Sequence, residues 1–296
     1  MSKRALVLGG GGASGNAWVI GVIAGLFEAG VDVTEADLVI GTSAGATAAA
    51  QVTASRPREL FARIVAEAPE TRTGPATSEQ RPRPAADQME WTGKIIASAK
   101  DAADMRRRMG AAAIEMDAAS SRFIQSRWRA TVAARLPSQH WPEQRLLITA
   151  VDARSGEPVV FDRHGGVDLA DAVAASCASG FAYTIGDRQY IDGGYRANEN
   201  ADLAAGCSRI LVLSPFGGRS RHPAEWGTHL AAQVSELRAQ GSRVETIFPD
   251  ANARDVLATG MGVMELSTRL PAARAGYAQG AASAERLSEF WCSEPR

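Results

Sequence analysis

The chain alternates short, unbroken apolar runs with longer stretches in which apolar residues return every three or four positions. Ala5–Leu8 and Arg209–Leu213 are continuous runs suited to a parallel sheet covered on both faces. Leu38–Thr42, Arg145–Val151, Pro158–Phe161 and Gln189–Ile191 read as further strands. After the first run, Val19, Ile20, Ile23, Leu26 and Phe27 fall on one face of a helix over Asn16–Ala29. Alanine-rich Ala46–Ala50 begins another helix directly after the second run. Strands with helices between them predict an α/β fold with right-handed crossovers.

The junction after the second run carries the strongest chemical signal. Gly41-Thr42-Ser43-Ala44-Gly45 lies between a strand and a helix, with Ser43 at the apex of the turn. Gly41 and Gly45 remove the Cβ atoms that would clash in so tight a bend, and the bend exposes the serine hydroxyl. The helix that follows presents free N–H groups and its positive dipole end to negative charge forming there. Ser43 is therefore the candidate nucleophile of an acyl transfer.

A second loop, Gly9-Gly10-Gly11-Gly12-Ala13-Ser14-Gly15, follows the first strand and opens a helix. Its uncovered N–H groups can cradle an anion. One such anion is a pyrophosphate, because Gly10-x-Gly12-x-x-Gly15 matches the dinucleotide fingerprint, with Asp32, Glu35 and Asp37 about 20 residues on. The other is the oxyanion of a tetrahedral intermediate. A third element, Asp192-Gly193-Gly194, ends the Gln189–Ile191 strand and delivers a carboxylate into a turn with room around it.

Together, Gly10 to Gly15, Gly41 to Gly45 and Asp192-Gly193-Gly194 resemble the patatin-like phospholipase family, in order and in spacing, from Arg4 to about Asn200. Gly21 and Gly25 in the first helix, and Asn198 after the aspartate, extend the likeness. The resemblance implies a three-layer α/β/α fold with a mainly parallel central sheet over a single domain, residues 1–296. It further implies hydrolysis of lipid acyl esters without a cofactor, with Ser43 as nucleophile and Asp192 as its base. The N–H groups of Gly10, Gly11, Gly12 and Ala13 would form the oxyanion hole, and Gly15, Gly41, Gly45, Gly193 and Gly194 would shape the turns. Three departures stand out. Ser14 fills a position where the family has Arg or Lys, no proline precedes the aspartate in Ala175–Ala182, and Asn200 stands where Asn-x-Pro is common. These departures leave open a phospholipid or a simpler ester as substrate, and a lipid-binding protein without turnover as an alternative.

A conventional triad would need a histidine after Asp192, a place open to His222 and His229. The first sits in a polar stretch and the second in a predicted helix from Ala224 to Gln240, so a Ser–Asp dyad is expected instead.

Between about Glu70 and Pro142 no strand is predicted. A proline-bearing stretch over Thr71–Ala86 precedes a long helix over Asp87–Ala118 and a second near Ser121–Leu136. Ile95, Ala99, Ala102, Met105, Met109, Ala113 and Met116 form a thin stripe on the long helix. This insertion reads either as core packing or as a cap whose methionines adapt to acyl chains. Arg106-Arg107-Arg108 would attract anionic head groups in a transient membrane contact. From Arg254 onward Met261, Met264, Leu266, Leu270, Tyr277, Leu287, Phe290 and Trp291 predict helices over one face of the sheet.

Composition narrows the classes. A net charge of −1 argues against a general nucleic-acid binder. Three widely spaced cysteines, Cys177, Cys207 and Cys292, suit neither a disulfide framework nor a metal site. No run approaches the roughly 18 apolar residues of a membrane span. The apolar start is too short for a signal peptide, so a cytoplasmic location is the expectation.

Overall fold

The computed structural model describes residues 3–67, 85–118, 122–257 and 266–292. Among these, eight strands share one sheet: β1 Arg4–Leu8, β2 Leu38–Thr42, β3 Arg145–Asp152, β4 Pro158–Phe161, β5 Tyr183–Ile185, β6 Arg188–Asp192, β7 Arg209–Leu213 and β8 Arg243–Ile247. Their order is β5-β6-β3-β2-β1-β7-β8, with β4 paired to β3 off that path. β3, β2, β1, β7 and β8 run parallel. β4 and β6 run antiparallel to β3, and β5 antiparallel to β6.

The strand residues alternate between two cores. Leu6 and Leu8 of β1 face helices α1 (Gly12–Glu28), α2 (Ala44–Val52), α3 (Pro57–Ala66) and α7 (Leu169–Ser176). Ala5 and Val7 face α8 (Leu230–Ala239) through Leu230, Val234 and Leu237. Burial on both sides explains why β1 and β7 are apolar throughout. The sheet therefore lies between two helical layers, a three-layer α/β/α arrangement with a mainly parallel sheet.

Two strands escape the sequence pattern. β5 pairs with β6 across a two-residue Gly186-Asp187 turn, with Gly186 at φ 62°. β8 is an edge strand whose Arg243 and Glu245 interrupt its apolar run.

The insertion also differs from expectation. The long helix breaks into α4 (Ala85–Ser98) and α5 (Ala102–Ala118). Asp101 caps α5 at the break: it accepts the Asp104 N–H at 2.7 Å, and Asp104 accepts the Lys100 N–H at 3.1 Å. Met105, Met109 and Ala113 are fully buried against Val151, Ala153, Ala182 and Ile191, so this part of the stripe is core. The next helix, α6, spans Arg122–Ala133. Residues 71–84 of the proline-bearing stretch, like Met261, Met264 and the side chain of Leu266, lie outside the described residues.

α9 (Ala251–Leu257) and α10 (Arg269–Trp291) complete the first layer, and α10 takes α1 as its principal neighbour. The two helices interlock through four glycines. A Cβ at Gly21 or Gly25 would overlap the carbonyls of Ala273 or Tyr277, and one at Gly276 or Gly280 those of Trp18 or Val22. Side-chain-free positions on both partners let the backbones touch. Trp18 Nε1 donates to Gln279 Oε1 at 3.1 Å beside them.

Candidate active site

Ser43 links β2 to α2 at φ 54° and ψ −121°, a conformation that a residue with a Cβ rarely adopts. Such a backbone costs on the order of 1–3 kcal/mol and persists only where neighbours enforce it. Here the Ser43 N–H donates to Ser176 Oγ at 2.9 Å, and Ser43 O accepts from Ala46 N at 2.8 Å. Gly45 packs on the Leu8 carbonyl with no space for a side chain, and a Cβ on Gly41 would stand 2.5 Å from Ala46 Cα.

Asp192 is the last residue of β6 and pairs in register with Ala150 of β3. The sheet brings it to Ser43 from 149 positions away: Ser43 Oγ donates to Asp192 Oδ2 at 2.8 Å. The other oxygen, Oδ1, accepts the Gly194 N–H at 2.8 Å. Asp192 is 6% exposed. Burial pushes its carboxyl up to about 6, against the downward pull of these two hydrogen bonds. Gly193 lies so close to Thr149 that no side chain fits there.

The glycine loop flanks the serine: a Cβ on Gly10 would stand 3.5 Å from Ser43 Cβ. The Gly10 N–H, expected among the oxyanion donors, is instead committed to Asn198 O at 3.0 Å. Gly11, Gly12 and Ala13 head α1, where the first N–H groups have no intrahelical acceptor. Among the described residues these three N–H groups have no other acceptor either. Gly15 packs on Pro215. Ser14 hydrogen-bonds Thr268 Oγ1, and Arg269 reaches the same end of α1, with Nη1 3.4 Å from Asn16 Oδ1 and Nε 3.1 Å from Glu67.

Other sequence candidates lie apart from this arrangement. His222 Nδ1 is 2.9 Å from Thr228 Oγ1, and His229 Nε2 is 2.7 Å from His222 O. Burial, then the neighbouring cations, pushes His222 down to about 4. His229 precedes α8 rather than lying within a longer helix. Among the described residues, neither histidine hydrogen-bonds Ser43 or Asp192. Asp32 accepts from Thr34 N and Oγ1 in a local turn and Asp37 accepts the Arg4 N–H, so two of the three carboxylates of the dinucleotide pattern have partners within the protein. Arg106 donates to Gly156 O at 2.6 Å, while Arg107 and Arg108 pair with Asp104. The triplet thus has partners within the protein. Cys177 lies beside Thr47, Ser43 and Asp192, its thiol pushed up to about 12 by burial and then by Asp192.

Four supporting residues carried no sequence signal of their role. Ser176, Thr42 and Thr149 are small polar residues in apolar surroundings, legible only as exceptions to the pattern. Asn200 was visible only as a missing proline. Among the described residues, no helix is long and apolar enough to cross a membrane.

No curated protein sequence matches this chain. A crystal structure of VipD from Legionella pneumophila aligns with 96% of this chain and 67% of its own, at 12% identity and a TM-score of 0.39. A family model described as patatin-like phospholipase matches residues 6–205, a span holding the glycine loop, the serine elbow and the Asp-Gly-Gly turn. The chain belongs to the patatin-like phospholipase family.

Proposed function

We propose that this protein is a serine hydrolase of lipid acyl esters, with Ser43 as nucleophile, Asp192 as base and the N–H groups of Gly11, Gly12 and Ala13 as oxyanion donors. The observation that carries the reading is the 2.8 Å Ser43 Oγ–Asp192 Oδ2 hydrogen bond, made at a strained turn by a buried carboxylate. A serine hydroxyl is a weak nucleophile until a base accepts its proton, and a carboxylate raised to about 6 is a better base than an ordinary one.

In the acylation half, Ser43 Oγ attacks the ester carbonyl carbon as its proton passes to Asp192 Oδ2. The carbonyl π electrons move onto oxygen, facing the glycine-loop N–H groups. Collapse of this intermediate breaks the ester C–O bond, and the leaving alcohol takes the proton from Asp192. Water then attacks the acyl-serine, Asp192 accepts its proton, and collapse returns the proton to Ser43 as the carboxylic acid leaves. In serine hydrolases, loss of one oxyanion donor raises the barrier by about 3 kcal/mol.

The proposal takes residues 1–296 as one hydrolase domain, in which α4 and α5 form a cap-like element resting on β3 and β6. A lipid or acyl-ester substrate follows from family membership. Reaction with a fluorophosphonate, followed by intact mass and peptide mapping, tests the assignment. Wild type should label at Ser43, Ser43→Ala should not label, and Asp192→Asn should label at least about a hundredfold more slowly. A folded wild type that does not label refutes the reading.

A further inference from the structure

Asn200 occupies the position where the family resemblance leads to an expectation of proline, and the structure explains the difference. Its backbone is left-handed, at φ 53° and ψ 40°, whereas a proline ring holds φ near −65°. Among the described residues, the non-glycine residues at positive φ are Ser43 and Asn200. The two are connected.

Asn200 is 0% exposed, so every polar atom of its side chain needs a protein partner. Oδ1 accepts from Arg196 Nη1 at 2.6 Å, and the same guanidinium holds Asp202 at 2.5 and 2.9 Å. A cation on one side fixes which way the carboxamide points. Nδ2 therefore turns toward four oxygens: Ala197 O at 2.7 Å, Thr42 Oγ1 at 3.0 Å, Thr149 Oγ1 at 3.3 Å and Gly193 O at 3.3 Å. Thr42 immediately precedes Ser43, and Gly193 immediately follows Asp192. Thr149 pairs in register with Thr42, and their hydroxyls lie 2.9 Å apart. One carboxamide thus touches the segments that deliver both members of the dyad.

We propose that Asn200 is a positioning residue for the reaction: its carboxamide pins the turn before Ser43 and the turn after Asp192 to a common point, setting the separation of nucleophile and base. The inference rests on the Ser43–Asp192 reading. The left-handed backbone also makes the site open to glycine and closed to proline.

The test separates the side chain from the backbone. Asn200→Gly keeps the left-handed conformation and deletes the carboxamide, while Thr42→Val removes one acceptor at nearly constant volume. Fluorophosphonate labelling at Ser43 counts active sites, and turnover of a short-chain p-nitrophenyl ester is measured per labelled site. Because small misplacements of reacting groups cost up to about a hundredfold, Asn200→Gly should lose roughly ten- to a hundredfold in kcat per labelled site, with KM within about threefold. The double variant should lose no more than about threefold beyond the worse single variant, since both cut one link. Where Asn200→Gly does not fold, Asn200→Asp serves. It keeps the Arg196 contact, turns an acceptor toward Ala197 O and Gly193 O, and should show at least as large a loss. A merely structural residue would lower the number of labelled sites and leave kcat per site unchanged. That result, or losses that multiply in the double variant, overturns the inference. An unlabelled wild type overturns the dyad itself and the inference with it.

Discussion

Asp192→Asn should make the protein inactive and, above neutral pH, more stable. The substitution keeps the side-chain shape and the acceptor for the Gly194 N–H while removing the charge. Burial raises the carboxyl from 3.8 to about 6, and each unit corresponds to about 1.4 kcal/mol. A folded-state value above the unfolded one means that the folded protein binds the extra proton. This group's contribution to stability is therefore full below about pH 4 and is lost as pH rises through about 6. At pH 8 the wild type carries a buried carboxylate that lowers stability by up to about 3 kcal/mol relative to the protonated form. The asparagine variant has no such loss. Urea unfolding at about pH 3.5, 6 and 8 should give a stability gap near zero at the acid end, widening to between about 1 and 3 kcal/mol at pH 8. A variant no more stable than wild type at pH 8, or a gap independent of pH, would refute the claim that the base is tuned by desolvation.

Three further outcomes follow from the same geometry. The acid limb of kcat/KM on a neutral ester should fall tenfold per pH unit below about 6, as Asp192 takes up its proton; an acid limb below pH 4.5 would contradict the raised value. Ser43→Gly should unfold at higher urea than Ser43→Ala, by about 1 kcal/mol, because glycine relieves the φ 54° strain; equal midpoints would mean no strain is stored there. His222→Ala and His229→Ala should each keep kcat within about fivefold of wild type, since neither side chain contacts the dyad; abolition of turnover in a folded variant would place a histidine in the mechanism.

The legible parts of this molecule are those in which local chemistry and global position coincide. The apolar runs of β1 and β7, the serine elbow and the Asp-Gly-Gly turn each carry their reason within a few residues. The reading failed where the reason lies elsewhere. β8 is an edge strand with charged residues, so its apolar signal is thin. β5 has three residues, too few for a periodicity, although Gly186-Asp187 is a recognisable hairpin turn. The break between α4 and α5 has its local signal in Asp101, an N-cap residue set inside an otherwise continuous helical spacing. By contrast, nothing near Gly10 reveals that its N–H is taken by Asn198, 188 positions away. Nor does local sequence show that Asn200 is left-handed, because its side chain is held by the end of β2, the interior of β3 and the turn after β6.

The interlocked glycines of α1 and α10 bear on how the chain is made. Trp18 and its partner Gln279 are separated by 261 positions, so α1 leaves the ribosome long before the helix it fits. At about 5–20 residues per second, the wait is roughly 13–50 s. During that time a helix whose residues Trp18, Val19, Ile20, Val22 and Ile23 end up buried has no final cover. β1 waits similarly for β7, its parallel neighbour. Synthesis therefore exposes the segment bearing the glycine loop before α10 and β7 can close over it, and this nascent intermediate is where chaperone dependence and aggregation during expression should concentrate.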